Sequence, residues 1–252
     1  VVVDLNFGEI FLWEMLGTAA LILLGAGVVA NRVLKKALGN GDSWLLISIG
    51  WGFAVFVGAS IANPSGAHLN PAVTIGLAVA DKTEWSDVPA YLLGQMVGAF
   101  IGAVLAWLTY KLQFDTHDEP QNTRGIFSTG PTVPNYTWNM VTEIIATFVL
   151  VFWILLSPGA SVSGDGVPVF GNGALGYAAV AFVVISIGAS LGGPTGYAIN
   201  PARDLGPRIA YALLPIKGKG SPEWNYAWVP VAGPLIGGLL AGALFQILPA
   251  AS

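Results

Sequence analysis

Cysteine is absent from the 252-residue chain, which removes disulfides, thiolate metal sites and a cysteine nucleophile from consideration. Charge is scarce: 10% of residues are Asp, Glu, Lys or Arg, against about 25% in a soluble globular domain. The net charge of −4 is small and scattered, with no basic stripe to track nucleic acid. Residues 1–8 lack a basic segment and the first apolar stretch is of span length, so no cleavable signal sequence is expected. With two histidines, and no paired carboxylates near the loops described below, no catalytic set can be assembled. The expectation is a protein that is not an enzyme, with no cofactor and no metal.

What the chain has instead is apolar surface, 54% of its residues. It falls in runs close to ~20 residues, the length that crosses a bilayer as helix. The pattern predicts an all-α, multi-pass membrane protein. Spans are expected over about Glu9–Ala30, Trp44–Ala62, Pro89–Leu112, Tyr136–Leu156, Val169–Leu191 and Tyr226–Leu248. Two further apolar stretches, Asn70–Ala80 and the segment ending near Leu214, are too short to cross and read as re-entrant half-helices. Residues 114–135 form a long polar loop at the midpoint, and Ser157–Val167 a short Gly/Ser/Pro loop.

Each half-helix begins at the same phrase. Ser65-Gly66-Ala67-His68-Leu69-Asn70-Pro71-Ala72 returns 130 positions later as Thr195-Gly196-Tyr197-Ala198-Ile199-Asn200-Pro201-Ala202. Asparagine is a favoured N-cap, and proline suits the first helical position, where a missing donor costs nothing. Other features repeat in step. Glu14 and Glu143 lie 129 apart, each followed four residues on by threonine (Thr18, Thr147), and Gly98 and Gly102 answer Gly233 and Gly237. That glycine spacing suits close helix approach. Three spans per half is an odd number, so the halves, about 1–113 and 136–252, enter the membrane with opposite polarity, as an inverted repeat.

The half-helices then meet head to head. Irregular backbone at membrane depth survives only when buried in protein or lining a wet cavity. Gly66, Ala67 and His68, with Gly196, Tyr197 and Ala198, would present carbonyl acceptors, and Asn70 and Asn200 amide donors. Each helix start carries a partial charge of about +0.5. A cation ~5 Å from two such ends, at an effective dielectric constant of ~20, is opposed by roughly 3 kcal/mol. A neutral molecule with hydroxyls meets no such barrier.

Over essentially its whole length the chain resembles the aquaporin and glycerol facilitator family, on the doubled Asn-Pro-Ala, the span pattern and the two glutamates. Exclusion of cations by half-helix dipoles is already attributed to aquaporin pores. Asp204 after Asn-Pro-Ala-Arg, Arg208, and the Pro234-Leu235 pair are similar to the aquaglyceroporin branch. The resemblance implies an aquaporin-like fold and a homotetramer in the plasma membrane. It also implies a passive channel for glycerol, other small neutral solutes and water that excludes ions and protons. It places a narrow ring at Trp51, Gly188, Tyr197 and Arg203, where aromatic faces meet the carbon edge of a polyol and arginine its hydroxyls. Trp51 sits one residue nearer its motif than the family spacing, so Gly50 is the ungapped alternative. Gly188 stands where water-selective members generally carry histidine, and leaves room. Tyr197 replaces the more familiar phenylalanine, and its hydroxyl would narrow or polarise the ring.

Glu14 and Glu143 are expected to accept hydrogen bonds from the re-entrant loops, with Asp204 in a structural role. A proton-coupled transporter of a small neutral solute, which also uses inverted repeats and membrane carboxylates, is the alternative. The resemblance implies cytoplasmic termini. That topology leaves only Lys82 inside and puts Arg32, Lys35, Lys36, Lys111, Arg124, Lys217 and Lys219 outside, the reverse of the positive-inside preference.

Overall fold

The computed structural model describes residues 5–157, 161–162, 168–169 and 174–249. Asn6 opens α1 (Phe7–Val33) with a capping box: its side chain accepts from the Gly8 and Glu9 N–H groups, and the Glu9 carboxylate accepts from its backbone N–H. At an offset of 129 residues Asn135 caps α7 (Tyr136–Leu156) in turn, its side chain accepting from Trp138 N–H. Between them run α2 (Trp44–Ile61), the nine-residue α3 (Pro71–Val79), α4 (Val88–Thr109), and the short α5 (Lys111–Asp115) and α6 (Arg124–Phe127). Two-residue strands β1 (Ser161–Val162) and β2 (Pro168–Val169) pair antiparallel, followed by α8 (Ala174–Leu191), α9 (Pro201–Leu213) and α10 (Val229–Ile247).

Five helices, α1, α2, α4, α7 and α10, are long and apolar enough to cross a bilayer, and the 18-residue α8 completes six. At 1.5 Å per residue, α3 rises only about 14 Å, half the depth of a hydrocarbon core. Polarity is turned inward. Glu14, Gln95, Glu143 and Arg208 are fully buried, while Leu16, Phe53, Leu105, Ile145, Phe182 and Leu240 face out. That distribution suits lipid, where intramembrane charge faces the bundle interior.

Within each half the first and last spans pack together, α1 on α4 and α7 on α10. The half-helices cross over: α3 packs on α10 and α9 on α4, so each half completes the other. Glycine makes these approaches possible. A β-carbon at Gly98 or Gly102 would overlap the Met15 or Ala19 carbonyl of α1, and one at Gly238 would overlap the Ala72 carbonyl at the start of α3.

Four boundaries differ from the sequence reading by three residues or more. The first span runs on to Val33, past the expected Ala30. The fifth span starts at Ala174, because Val169 belongs to β2. The third ends at Thr109 and the sixth begins at Val229 rather than Tyr226, where Pro230 enters the first turn. Most of the short loop expected at 157–167 lies outside the described residues. The midpoint segment 114–135 is not plain polar loop. It contains the end of α5 and all of α6, and buries Phe114, Ile126 and Phe127. Phe127 packs at 5.8 Å on Phe114 and 5.3 Å on Tyr211 of α9, so the segment is anchored to the second half-helix.

Candidate functional site

The two re-entrant loops share one unusual backbone. Gly66, Ala67 and Leu69 have positive φ, and so do Gly196, Tyr197 and Ile199 at the same offsets. A β-branched residue at φ +45, as at Ile199, is strained and must be held by its surroundings. The holders are the two glutamates. Glu14 Oε1 accepts from Ser65 Oγ at 2.8 Å and His68 N at 3.0 Å, and Oε2 from Leu69 N at 2.7 Å and Gln95 Nε2 at 2.8 Å. Glu143 Oε1 accepts from Thr195 Oγ1 at 2.6 Å and Ala198 N at 3.0 Å, and Oε2 from Ile199 N at 2.8 Å. Left unpaired, each buried donor would cost about 1–3 kcal/mol.

Where the half-helices meet, each asparagine acts on both halves. Asn70 Oδ1 caps its own helix by accepting from Ala72 N at 2.9 Å, and Asn200 Oδ1 accepts from Arg203 N at 3.1 Å. The amide nitrogens cross over: Asn70 Nδ2 donates to the Ile199 carbonyl at 2.7 Å, and Asn200 Nδ2 to the Leu69 carbonyl at 2.8 Å. One N–H of each amide is thereby spent on the opposite loop. An NH2 group carries two, so one per asparagine remains for a solute.

A cavity of about 340 Å³ passes this point. Both asparagines and Gly66, Ala67, His68 and Ala198 line it, with Trp51, Tyr197 and Arg203 on α2, the second loop and α9. It reaches Asn63, just past the end of α2, and Tyr177, near the start of α8. His68 stacks on Tyr91 with ring centroids 4.0 Å apart, and its Nδ1 lies 3.1 Å from Thr74 Oγ1. Pro71, Ala72, Pro201 and Ala202 are buried in the first turns of α3 and α9 and do not line the cavity. Nor does Gly196.

The guanidinium of Arg203 sits 3.9 Å from the centre of the Trp51 ring. Among the described residues none accepts a hydrogen bond from it, so its N–H groups are open to the cavity. Arg203 therefore covers part of the aromatic face expected to meet a carbon edge, leaving the remainder of Trp51 and the Tyr197 ring. Gly50 is turned away: a β-carbon there would fall 2.5 Å from Val28 of α1. The Trp51 ring instead lies in a slot over Gly25, where any β-carbon would overlap it. Gly188 is not in the cavity wall. The room left by its missing side chain is filled by Tyr197, whose Cζ would be 2.7 Å from an added β-carbon. The Tyr197 hydroxyl is buried and faces that recess, so it lies behind the ring rather than polarising the aperture.

Asp204 touches no part of the cavity. Its Oδ2 accepts from Thr129 N at 2.6 Å and Thr129 Oγ1 at 2.7 Å, and its Oδ1 pairs with fully buried Arg208 at 2.7 Å. Arg208 in turn donates to the carbonyls of Thr129 and Pro222, tying two loops to α9. Sequence reasoning missed several supporting residues: Ser65, Thr195, Gln95, Gly25 and Thr129. For the first two a signal existed, a hydroxyl at the same offset before both asparagines. For Gln95, Gly25 and Thr129 none did. Among the described residues no group of three or more His, Cys, Asp or Glu could hold a metal ion.

The profile of the family described as Major intrinsic protein matches residues 2–245. The chain is 50% identical over 241 residues to the "Probable glycerol uptake facilitator protein" of Thermotoga maritima, across 95% of this chain and 99% of that one. It is 48% identical over 237 residues to the "Glycerol uptake facilitator protein" of Bacillus subtilis, across 94% and 83%. Among solved structures, the aquaglyceroporin from Plasmodium falciparum superposes with a TM-score of 0.81 at 30% identity, covering 96% of this chain and 97% of that one. A profile that spans nearly the whole chain, relatives near half identical, and two capped half-helices joined through their asparagines lead to one assignment: the chain belongs to the major intrinsic protein family.

Proposed function

We propose that the protein is a passive transmembrane channel for glycerol and other small neutral solutes, that it also conducts water, and that it excludes ions and protons. The observation that carries this is the cavity running past Asn70 and Asn200, with one amide N–H of each open to it. A hydroxylated solute meets donors there and at Arg203, and an apolar wall at Tyr197, Leu21, Val55 and Val184. Both helix starts oppose a cation at the same place. Trp51, Tyr197 and Arg203 form the selectivity filter, with Gly188 shaping it from behind, and the loop residues Gly66, Ala67, His68 and Ala198 carry the path, while Gly196, outside the cavity wall, supplies a positive-φ turn of the second loop. Glu14, Glu143 and Asp204 support the loops.

The names of the relatives, glycerol uptake facilitators and an aquaglyceroporin, favour the same solute class. The two halves, about 1–113 and 136–252 joined through 114–135, are the repeat units. The protein works as a homotetramer in the plasma membrane with both termini cytoplasmic. A proton-coupled transporter is disfavoured, since both oxygens of each span glutamate are already engaged with loop donors.

Stopped-flow light scattering on proteoliposomes tests the reading. Water and glycerol are expected to cross faster than in empty liposomes, with no current in a planar bilayer. Glycerol permeability at the empty-liposome level overturns the solute assignment, and a sustained proton conductance overturns the electrostatic argument.

A further inference from the structure

Three groups of the first half meet at one hydroxyl. Thr74 Oγ1, fully buried in the first turn of α3, lies 3.1 Å from the Asn70 carbonyl, 3.0 Å from Gln95 Nε2 of α4 and 3.1 Å from His68 Nδ1. A hydroxyl has one proton and two lone pairs, so three partners use all of it. The Asn70 carbonyl can only accept, and takes the proton. The Gln95 amide nitrogen can only donate, and takes one lone pair. Which end of that amide faces Thr74 is fixed by the Glu14 carboxylate, an acceptor 2.8 Å from the same nitrogen. The remaining lone pair falls to His68, whose Nδ1 must therefore carry the ring proton. In a neutral imidazole the other nitrogen is then an acceptor.

The ring is also held in plane. It stacks on Tyr91 at 4.0 Å and 12°, and the Tyr91 hydroxyl donates to the Ser65 carbonyl at 2.6 Å. Among the described residues none bonds to Nε2, which is left on the cavity side near Gly66, where an added β-carbon would lie 3.8 Å from it. Other side-chain acceptors of the wall are spent: Asn70 and Asn200 Oδ1 on their helix caps, Asn63 Oδ1 on the Tyr177 hydroxyl at 2.9 Å. The second half has no counterpart, since the repeat puts Ala198 and Asp204 where the first half has His68 and Thr74.

We propose that Thr74 and Gln95 are positioning residues that hold the His68 proton on Nδ1, and so present Nε2 as a fixed acceptor in the wall that also carries the Asn70 and Asn200 donors. The inference deepens the channel reading above and rests on it for the solute. A polyol hydroxyl both donates and accepts. At the asparagines it accepts an N–H, and at His68 its own proton finds a side-chain nitrogen. With the proton on Nε2 instead, the wall would offer one more donor and leave that hydroxyl proton only the loop carbonyls.

The test reads the tautomer directly. His117 is the chain's other histidine, so in a His117→Asn background, protein labelled with 15N in the imidazole ring gives signals from His68 alone. Solid-state NMR in lipid vesicles is run at about pH 8, above the ordinary imidazole value of about 6.5. Nδ1 is expected protonated and Nε2 bare, and added glycerol should shift the Nε2 resonance while Nδ1 stays in place. Thr74→Ser keeps the hydroxyl and should keep the tautomer. Thr74→Val and Gln95→Met each release a constraint, and a second signal with the proton on Nε2 should appear. In the same vesicles the glycerol-to-water permeability ratio should fall about threefold in Thr74→Val, the scale of one hydrogen bond, and recover in Thr74→Ser. A wild-type ring protonated on Nε2 overturns the inference, and that spectrum decides even where a variant fails to fold. An unchanged tautomer in both Thr74→Val and Gln95→Met overturns it too. Both permeabilities falling together with the ring proton unmoved would mark a packing role and likewise overturn it. If the Nδ1–H tautomer is found in a protein that fails to conduct glycerol, the channel reading falls instead.

Discussion

Glu14 and Glu143 occupy equivalent places but carry unequal loads. Both oxygens of Glu14 accept two donors each, whereas at Glu143 one oxygen accepts two and the other only Ile199 N–H. Glutamine keeps a single oxygen and turns an NH2 toward whatever donors remain. Glu14→Gln therefore strands two donors in either orientation, and Glu143→Gln strands one. At about 1–3 kcal/mol per buried donor, Glu14→Gln should cost about twice as much stability as Glu143→Gln. Thermal unfolding of the two purified variants in one detergent checks this, and equal melting temperatures would remove the proposed role of the carboxylates. Neither variant should make transport depend on a pH gradient.

The helices are arranged so that glycine sets depth as well as distance. Gly238 lets α10 rest directly on the Ala72 carbonyl, in the first turn of α3 just after Asn70. A methyl group there must push α3 away from α10. Gly238→Ala is expected to destabilise the fold by about 1–3 kcal/mol, the range for overpacking. Water and glycerol permeability should fall together, since the asparagine junction is common to both solutes. A changed glycerol-to-water ratio in this variant would mean that α3 itself discriminates, and that the ring around Tyr197 is not the sole filter.

For the whole molecule, orientation is the property on which the charge pattern and the proposed topology disagree. Several cations on the side assigned to the exterior are engaged in the folded state: Lys35 pairs with Asp118, Lys111 with Asp115, and Arg124 with Glu223 at 3.2 Å. Lys219 Nζ donates to the carbonyls of Tyr211, Ala212 and Leu214 near the end of α9. Insertion reads the chain before such contacts exist, so they do not decide topology. The absence of cysteine gives a clean assay. Lys36→Cys should react with an impermeant maleimide added to intact cells, and Lys82→Cys only after permeabilisation; both positions are exposed. The opposite pattern would invert the proposed orientation.

The features legible in the sequence are those whose cause lies within a few residues. Hydropathy over ~20 positions marks the spans, Asn-Pro marks each half-helix start, and the matched offsets of Glu14 with Glu143 and Asn70 with Asn200 mark the inverted repeat. What only the tertiary structure decided depends on residues far apart in the chain. The crossed bonds from Asn70 to Ile199 and from Asn200 to Leu69 span about 130 positions. Trp51 rather than Gly50 faces the cavity because Gly25 of α1 makes a slot for the indole while Val28 closes off Gly50. Gly188 reads in the sequence as open width, yet its space belongs to Tyr197, because the second loop folds that ring back between α2 and α8. A missing side chain determines only that room exists; which neighbour fills it is settled by close packing of the whole bundle.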